Sequence, residues 1–212
     1  AGFVPDGREV VIYNGIDPDR YFPQTTWRSS TDREVRLLTV GMLSMVKGQD
    51  VVIRAVAKLK ARGWRVSLYL CGEGGERPRL ESLAVDSKVD GLVRFYGDVE
   101  DVRPFYEICD IVIIPSRFES FGYVAIEAAL MGRAVVASAT GGLLETVIDG
   151  ETGLGFTAGS PEALVRAVEQ TLVDLDATRL RIEAARVRAI ELFNVNTMTG
   201  RLFSLYRQLA LR

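Results

Sequence analysis

Ile111-Val112-Ile113-Ile114-Pro115-Ser116-Arg117-Phe118-Glu119-Ser120-Phe121-Gly122-Tyr123-Val124-Ala125-Ile126-Glu127-Ala128 is the stretch that decides the fold. Its opening run is continuously apolar and β-branched, the pattern of a strand buried on both faces, and it closes at Pro115. A polar loop follows, and the spacing then predicts a helix over Gly122–Met131. The same alternation extends in both directions. Apolar runs at Arg36–Val40, Val66–Cys71, Leu92–Tyr96, Ile111–Pro115, Ala134–Ser138 and Leu154–Phe156 predict strands. Between them, helical period predicts Gln49–Ala61, Arg77–Val85, Val102–Glu107 and Gly122–Met131. Strands alternating with helices through right-handed crossovers make an α/β, doubly wound, Rossmann-like parallel sheet.

Toward the carboxyl end, Ser160 precedes Pro161 as an N-cap precedes a first-turn proline. Helices are expected at Glu162–Leu172, Thr178–Phe193 and Thr197–Leu211. Toward the amino end, Glu9–Tyr13 reads as a short strand and Asn14-Gly15 as a turn. Asp17–Asp32 is a Pro-, Asp-, Ser- and Thr-rich connector without period. Three segments are therefore expected: a connector over 1–33 with a boundary near Arg33, a ligand-binding domain over 34–193, and a terminal helix over 194–212. Ala1–Val10 reads as the interior of a longer chain. Arg179, Arg181, Arg186 and Arg188 interleave with Glu183 and Glu191, the pattern of a solvated charged face.

Composition narrows the chemistry. The 212 residues carry 26 Lys+Arg against 28 Asp+Glu, a net charge of −2, so no basic field for nucleic acid is expected. There is no histidine. That removes Ser-His-Asp and Cys-His hydrolases, histidine general bases and His-containing zinc sites together. A 48% hydrophobic content supplies a sizeable core. Cys71 and Cys109 close apolar runs and read as buried thiols, which fits a reducing, cytoplasmic compartment. Glu127 and Arg133 interrupt the longest apolar stretch, and no secretory leader pattern opens the chain, so a soluble protein is expected.

Doubly wound sheets bind ligands beyond the carboxyl ends of their strands. The first such loop, Gly41-Met42-Leu43-Ser44-Met45-Val46-Lys47-Gly48, suits a phosphate through glycine backbone, one lysine and a following helix, and equally reads as a glycine turn with a solvated lysine. Gly72-Glu73-Gly74-Gly75 resembles a dinucleotide fingerprint, but Arg77 stands where glycine or alanine is required. In Glu119 to Glu127 two carboxylates stand eight positions apart, one in a loop and one within a helix. Ser120 is placed to cap that helix, and Gly122 leaves its first-turn N–H groups open to an anion. Glu127 interrupts the apolar face of Val124, Ile126, Ala128 and Leu130, so its charge needs partners, either ligand hydroxyls or a structural ion pair.

These residues together resemble the retaining glycosyltransferases of family 4, enzymes of the GT-B fold in which two Rossmann-like domains face each other. Glu119 and Glu127 match the family's Glu-x7-Glu motif within Glu-Ser-Phe-Gly, Gly41…Lys47-Gly48 its phosphate loop, and Gly72-Glu73-Gly74 the loop after the second strand. Phe95-Tyr96-Gly97 matches its nucleobase-side strand end. Gly141-Gly142-Leu143-Leu144-Glu145 with Asp149-Gly150-x-Thr152-Gly153, and Asn14-Gly15-Ile16-Asp17…Phe22, match further stretches. The resemblance implies the carboxyl-terminal, donor-binding half of such an enzyme, transferring a hexosyl group from a nucleotide sugar with retention. Lys47 and Glu119 would be catalytic. Gly41, Gly72, Tyr96, Gly97, Val99, Ser120, Phe121, Gly122, Tyr123 and Glu127 would join them in holding the donor, Glu119 at sugar hydroxyls and Glu127 at the ribose.

The family usually has arginine at Met42, so Lys47 would meet the diphosphate alone, or with Arg117 or a residue of the second domain. UDP-sugar is favoured slightly over GDP-sugar. No cofactor and no metal are implied: Asp17-Pro18-Asp19 and Asp174-Leu175-Asp176 read as turn or cap residues. The partner would be the amino-terminal acceptor domain, through which a peripheral membrane association could arise. Two other readings share these features, a nucleotide-sugar-binding module without catalysis and half of a sugar-nucleotide epimerase.

Overall fold

The computed structural model describes residues 10–27 and 34–210. Six strands, β1 (Val35–Val40), β2 (Val66–Cys71), β3 (Val93–Gly97), β4 (Ile111–Ile114), β5 (Ala134–Ser138) and β6 (Leu154–Phe156), form one parallel sheet in the order β3-β2-β1-β4-β5-β6. The helices are α1 (Gln49–Ala61), α2 (Arg77–Asp86), α3 (Arg103–Ile108), α4 (Tyr123–Leu130), α5 (Leu143–Thr146), α6 (Pro161–Val173), α7 (Leu175–Leu192) and α8 (Val195–Ala210). This is the doubly wound arrangement expected from the alternation.

The two-residue period of each strand sorts its side chains onto two faces. Leu37, Leu68, Leu70, Ile111, Ile113 and Val136 join α1, α2 and α6 in one core. Their neighbours Leu38, Tyr69, Cys71, Val112, Ile114, Val135 and Ala137 join α3, α4 and α5 in the other. Both cysteines are buried and free. Burial pushes the Cys71 thiol up to about 12 and the Cys109 thiol up as well. A third cluster packs Ile126, Ala129 and Leu130 of α4 on Ala185 and Ala189 of α7 and on Phe193 just beyond its end.

The amino-terminal segment departs from expectation. Val10–Tyr13 is not a strand, while Glu9 and the boundary at Arg33 lie outside the described residues. Instead the Ile16 amide donates to the Phe193 carbonyl at 2.8 Å, and the Tyr13 ring stands edge-on to Phe193. The rest of the connector is pinned from behind. Trp27 donates from Nε1 to the Asp110 carbonyl at 2.7 Å, and Glu107 accepts from Gln24, Thr25 and the buried Arg133. Arg181 likewise belongs to the interior rather than to a solvated face, donating to Thr178 Oγ1 at 2.8 Å. Ser160 caps α6, as expected, by accepting from the Ala163 amide, and Asp174 caps α7.

Candidate functional site

Strand order reverses between β1 and β4, and at such a switch point the loops beyond the two strands diverge and leave a crevice. The loop after β1 starts at Gly41, whose amide donates to the Cys71 carbonyl at 2.9 Å, and its Leu43 amide reaches the Glu73 carbonyl at 2.8 Å. The Gly72 amide in turn donates to the Gly97 carbonyl at 2.7 Å. A Cβ at Gly72 would stand 2.2 Å from the Gly41 carbonyl oxygen, so this floor exists only because two backbones meet without side chains. Above it opens a cleft of about 480 Å³ lined by Gly41, Gly72, Asp98, Val99, Val124 and Glu127 among others.

At the lip of the cleft Ser44 accepts from the Lys47 amide and turns Met45–Lys47 into a single 3-10 turn, after which left-handed Gly48 starts α1. This aims Lys47 across the switch point. Its Nζ lies 2.6 Å from Glu119 Oε2, to which Ser116 Oγ also donates at 3.2 Å. The residues sequence reasoning singled out separately, one for phosphate and one for sugar, therefore meet as an ion pair.

Glu127 is held differently. Tyr21 of the connector donates to Oε1 at 3.0 Å, and Tyr106 of α3, fully buried, donates to Oε2 at 2.8 Å. Its charge thus has tyrosine hydroxyls as partners, and among the described residues no lysine or arginine forms an ion pair with it. Burial raises the Glu127 carboxyl above its ordinary value, against the opposing pull of the two hydroxyls. Burial also raises both phenols, Tyr21 to about 12, so they stay protonated and must donate.

Two expectations at this site need correction. Ser120 does not cap α4. The Gly142 amide bonds the Glu119 carbonyl at 2.8 Å and docks the Glu119–Phe121 backbone on the glycine pair, leaving the exposed Ser120 outside the helix axis and left-handed Gly122 as an N-cap without a side-chain bond. Arg117 is not free for a diphosphate either, because it forms a two-pronged pair with Asp50 at 2.9 Å and donates to the Met45 carbonyl. Phe121 and Tyr123 stack edge-on at 5.1 Å, with Phe121 also against Phe193. Tyr96 stands half-exposed, edge-on between Tyr69 and Phe105, beside the strand end of Gly97.

Sequence reasoning missed Tyr21, Tyr106, Ser116 and Asp98. Asp98 follows a strand-closing glycine, and Ser116 sits in the decisive loop, so position beyond a strand end could have found both. The tyrosines lay in segments with no such signal. Among the described residues, no group of three or more Cys, Asp or Glu side chains is arranged to hold a metal ion, and no helix is long and apolar enough to cross a membrane.

Residues 34–174 match the family model of glycosyl transferases group 1. The chain belongs to that family. A relative, the D-inositol 3-phosphate glycosyltransferase of Corynebacterium aurimucosum, is 35% identical over 213 residues, covering 93% of this chain and 50% of that protein. Among solved structures, HepE of Anabaena superposes with a TM-score of 0.83 at 27% identity, over 94% of this chain and 57% of that one. HepE has been crystallised with UDP, with UDP and glucose, and with UDP-glucose. The carboxyl-terminal domain of a group 1 protein from Francisella tularensis shares the fold, with a TM-score of 0.73 at 21% identity over 85% of this chain and all of that one. This group 1 chain spans about half the length of the curated relatives it matches.

Proposed function

We propose that this chain is the donor-binding half of a retaining hexosyltransferase of the GT-B type, moving a hexosyl group from a nucleoside diphosphate sugar to an acceptor held by a second domain. The observation that carries it is the meeting of Lys47 and Glu119 at 2.6 Å across the switch point, beside a cleft floored by glycine backbone. The departing diphosphate develops negative charge, and fixed positive charge aimed at it lowers the barrier. Lys47 and the first-turn N–H groups of α4 supply that field. Glu119, once Lys47 turns to phosphate, accepts from hydroxyls of the donor sugar, while Glu127 accepts from the ribose. Tyr96, Gly97 and Val99 border the nucleobase. In this reading Lys47 supplies the positive charge that meets the diphosphate. UDP is the favoured diphosphate, supported by the HepE complexes.

Calorimetric titration with UDP, GDP, ADP and uridine, in EDTA, tests this reading. UDP is expected to bind without metal. Lys47→Ala should weaken UDP about 10-fold or more, the worth of a charge-assisted hydrogen bond, and leave uridine unchanged. Met42→Arg, at a side chain already 62% exposed, should tighten UDP. A strict requirement for Mg2+, or equal losses for UDP and uridine in Lys47→Ala, overturns the assignment.

A further inference from the structure

Three elements converge on one carboxylate. Tyr21 reaches it from the connector, Tyr106 from α3, and Glu127 itself projects from α4 into the cleft lining. An ionised carboxylate only accepts, and each of its oxygens has two acceptor sites. The tyrosines take one on each oxygen, at 3.0 and 2.8 Å. Rotation of the Glu127 side chain would break both bonds and leave the Tyr106 hydroxyl buried without a partner, a costly state. The carboxylate is thus locked with one acceptor site per oxygen remaining. Two acceptors at carboxylate spacing suit a vicinal diol, and a neutral clamp leaves the carboxylate its full negative charge for those hydroxyls, whereas a lysine or arginine partner would compete for it.

We propose that Tyr106 and Tyr21 are positioning residues for ribose recognition, holding Glu127 so that it reads the 2′- and 3′-hydroxyls together and distinguishes ribonucleotides from deoxyribonucleotides. This inference rests on the assignment of Glu127 to the ribose. Tyr21 brings the connector into the recognition unit, since the same segment bonds through Ile16 to the Phe193 carbonyl at the end of α7 and to the Val195 amide at the start of α8.

The experiment compares UDP with 2′-deoxyUDP and 3′-deoxyUDP in the wild-type chain, Tyr106→Phe and Tyr21→Phe, with thermal unfolding measured alongside. The wild type is expected to prefer UDP over both analogues. Each variant should lower that preference about 2- to 10-fold, the worth of one hydrogen bond, while affinity for the deoxy analogues holds. A merely structural role would weaken all three nucleotides alike and leave the preference intact, and that result overturns the proposal while sparing the ribose assignment. A wild type without preference overturns both. Should Tyr106→Phe fail to fold, Tyr21→Phe decides the matter, because its ring is only partly buried and lies in a segment without regular structure.

Discussion

Glu127 titrates in a chain without histidine, so between about pH 4.5 and neutrality the protonation of the protein is carried by its carboxylates. Its folded-state value is raised above the ordinary 4.5, first by burial, while Tyr106, Tyr21 and the nearby Arg20 pull the other way. The folded chain therefore holds this proton in a window where the unfolded chain has released it. The stability associated with that proton is complete below about 4.5 and is lost as pH rises through the folded value. Binding should respond in the opposite direction, because a protonated carboxyl loses an acceptor for the ribose. Acidification from pH 7 toward 5 is expected to weaken uridine binding and to stabilise the wild type relative to Glu127→Gln, whose own uridine affinity stays flat. Calorimetry with uridine avoids the titration of phosphate, and an equal pH response in Glu127→Gln would refute the role given to this residue.

At the level of elements, the cleft floor depends on how closely the loops after β1 and β2 approach. Gly72 lies at φ +136°, and any Cβ there meets the Gly41 carbonyl oxygen. Gly72→Ala is expected to cost about 1–3 kcal/mol of stability and to displace the lysine loop, weakening UDP as well. Gly75→Ala, three residues along, is the control, since nothing lies within 4 Å of its Cβ and its φ is ordinary. Thermal melts and UDP titrations of both variants distinguish a structural close approach from a general sensitivity of the loop. Equal behaviour of the pair would remove the close approach as the determinant. The helix α4 shows a related dependence, for its start is set by the docking of Glu119–Phe121 on Gly141 and Gly142, a contact from a loop beyond β5.

For the whole molecule, two cores on opposite faces of a six-stranded sheet make a unit that is expected to unfold in one cooperative transition. It is also expected to bind donor without transferring sugar. Transfer needs an acceptor held against the reacting carbon, and misplacement by about 1 Å already costs on the order of 100-fold. The helix α8 has no buried residue, and Phe203 and Tyr206 are 64% and 65% exposed. On the proposed function, turnover by this chain should fall at least ~100-fold below that of a longer chain that also carries the proposed acceptor domain. Comparable rates would place an acceptor site within these 212 residues.

The layers and the positions of the site loops were legible in the chain before any contact was known. Strands two-face buried, such as Ile111–Ile114, and helices with a single apolar stripe, such as α1, write their period directly into the chain, because backbone geometry alone sets it. The glycines beyond the strand ends and the Glu119–Glu127 spacing were legible for the same local reason. The four-residue α5 was not, being too short to show a period, and α7 begins at Leu175, three residues before the apolar pattern suggests, because Asp174 alone separates it from α6. Val10–Tyr13 has a strand's composition, yet its backbone pairs with no strand, and composition carries no information about a partner edge. The tertiary structure decided which side chains meet: Lys47 with Glu119 across 72 positions, Arg117 with Asp50, and Tyr21 and Tyr106 with Glu127. Those meetings follow from strand order and from where the connector docks, and both are set by packing between elements distant in the chain rather than by the period within any one of them.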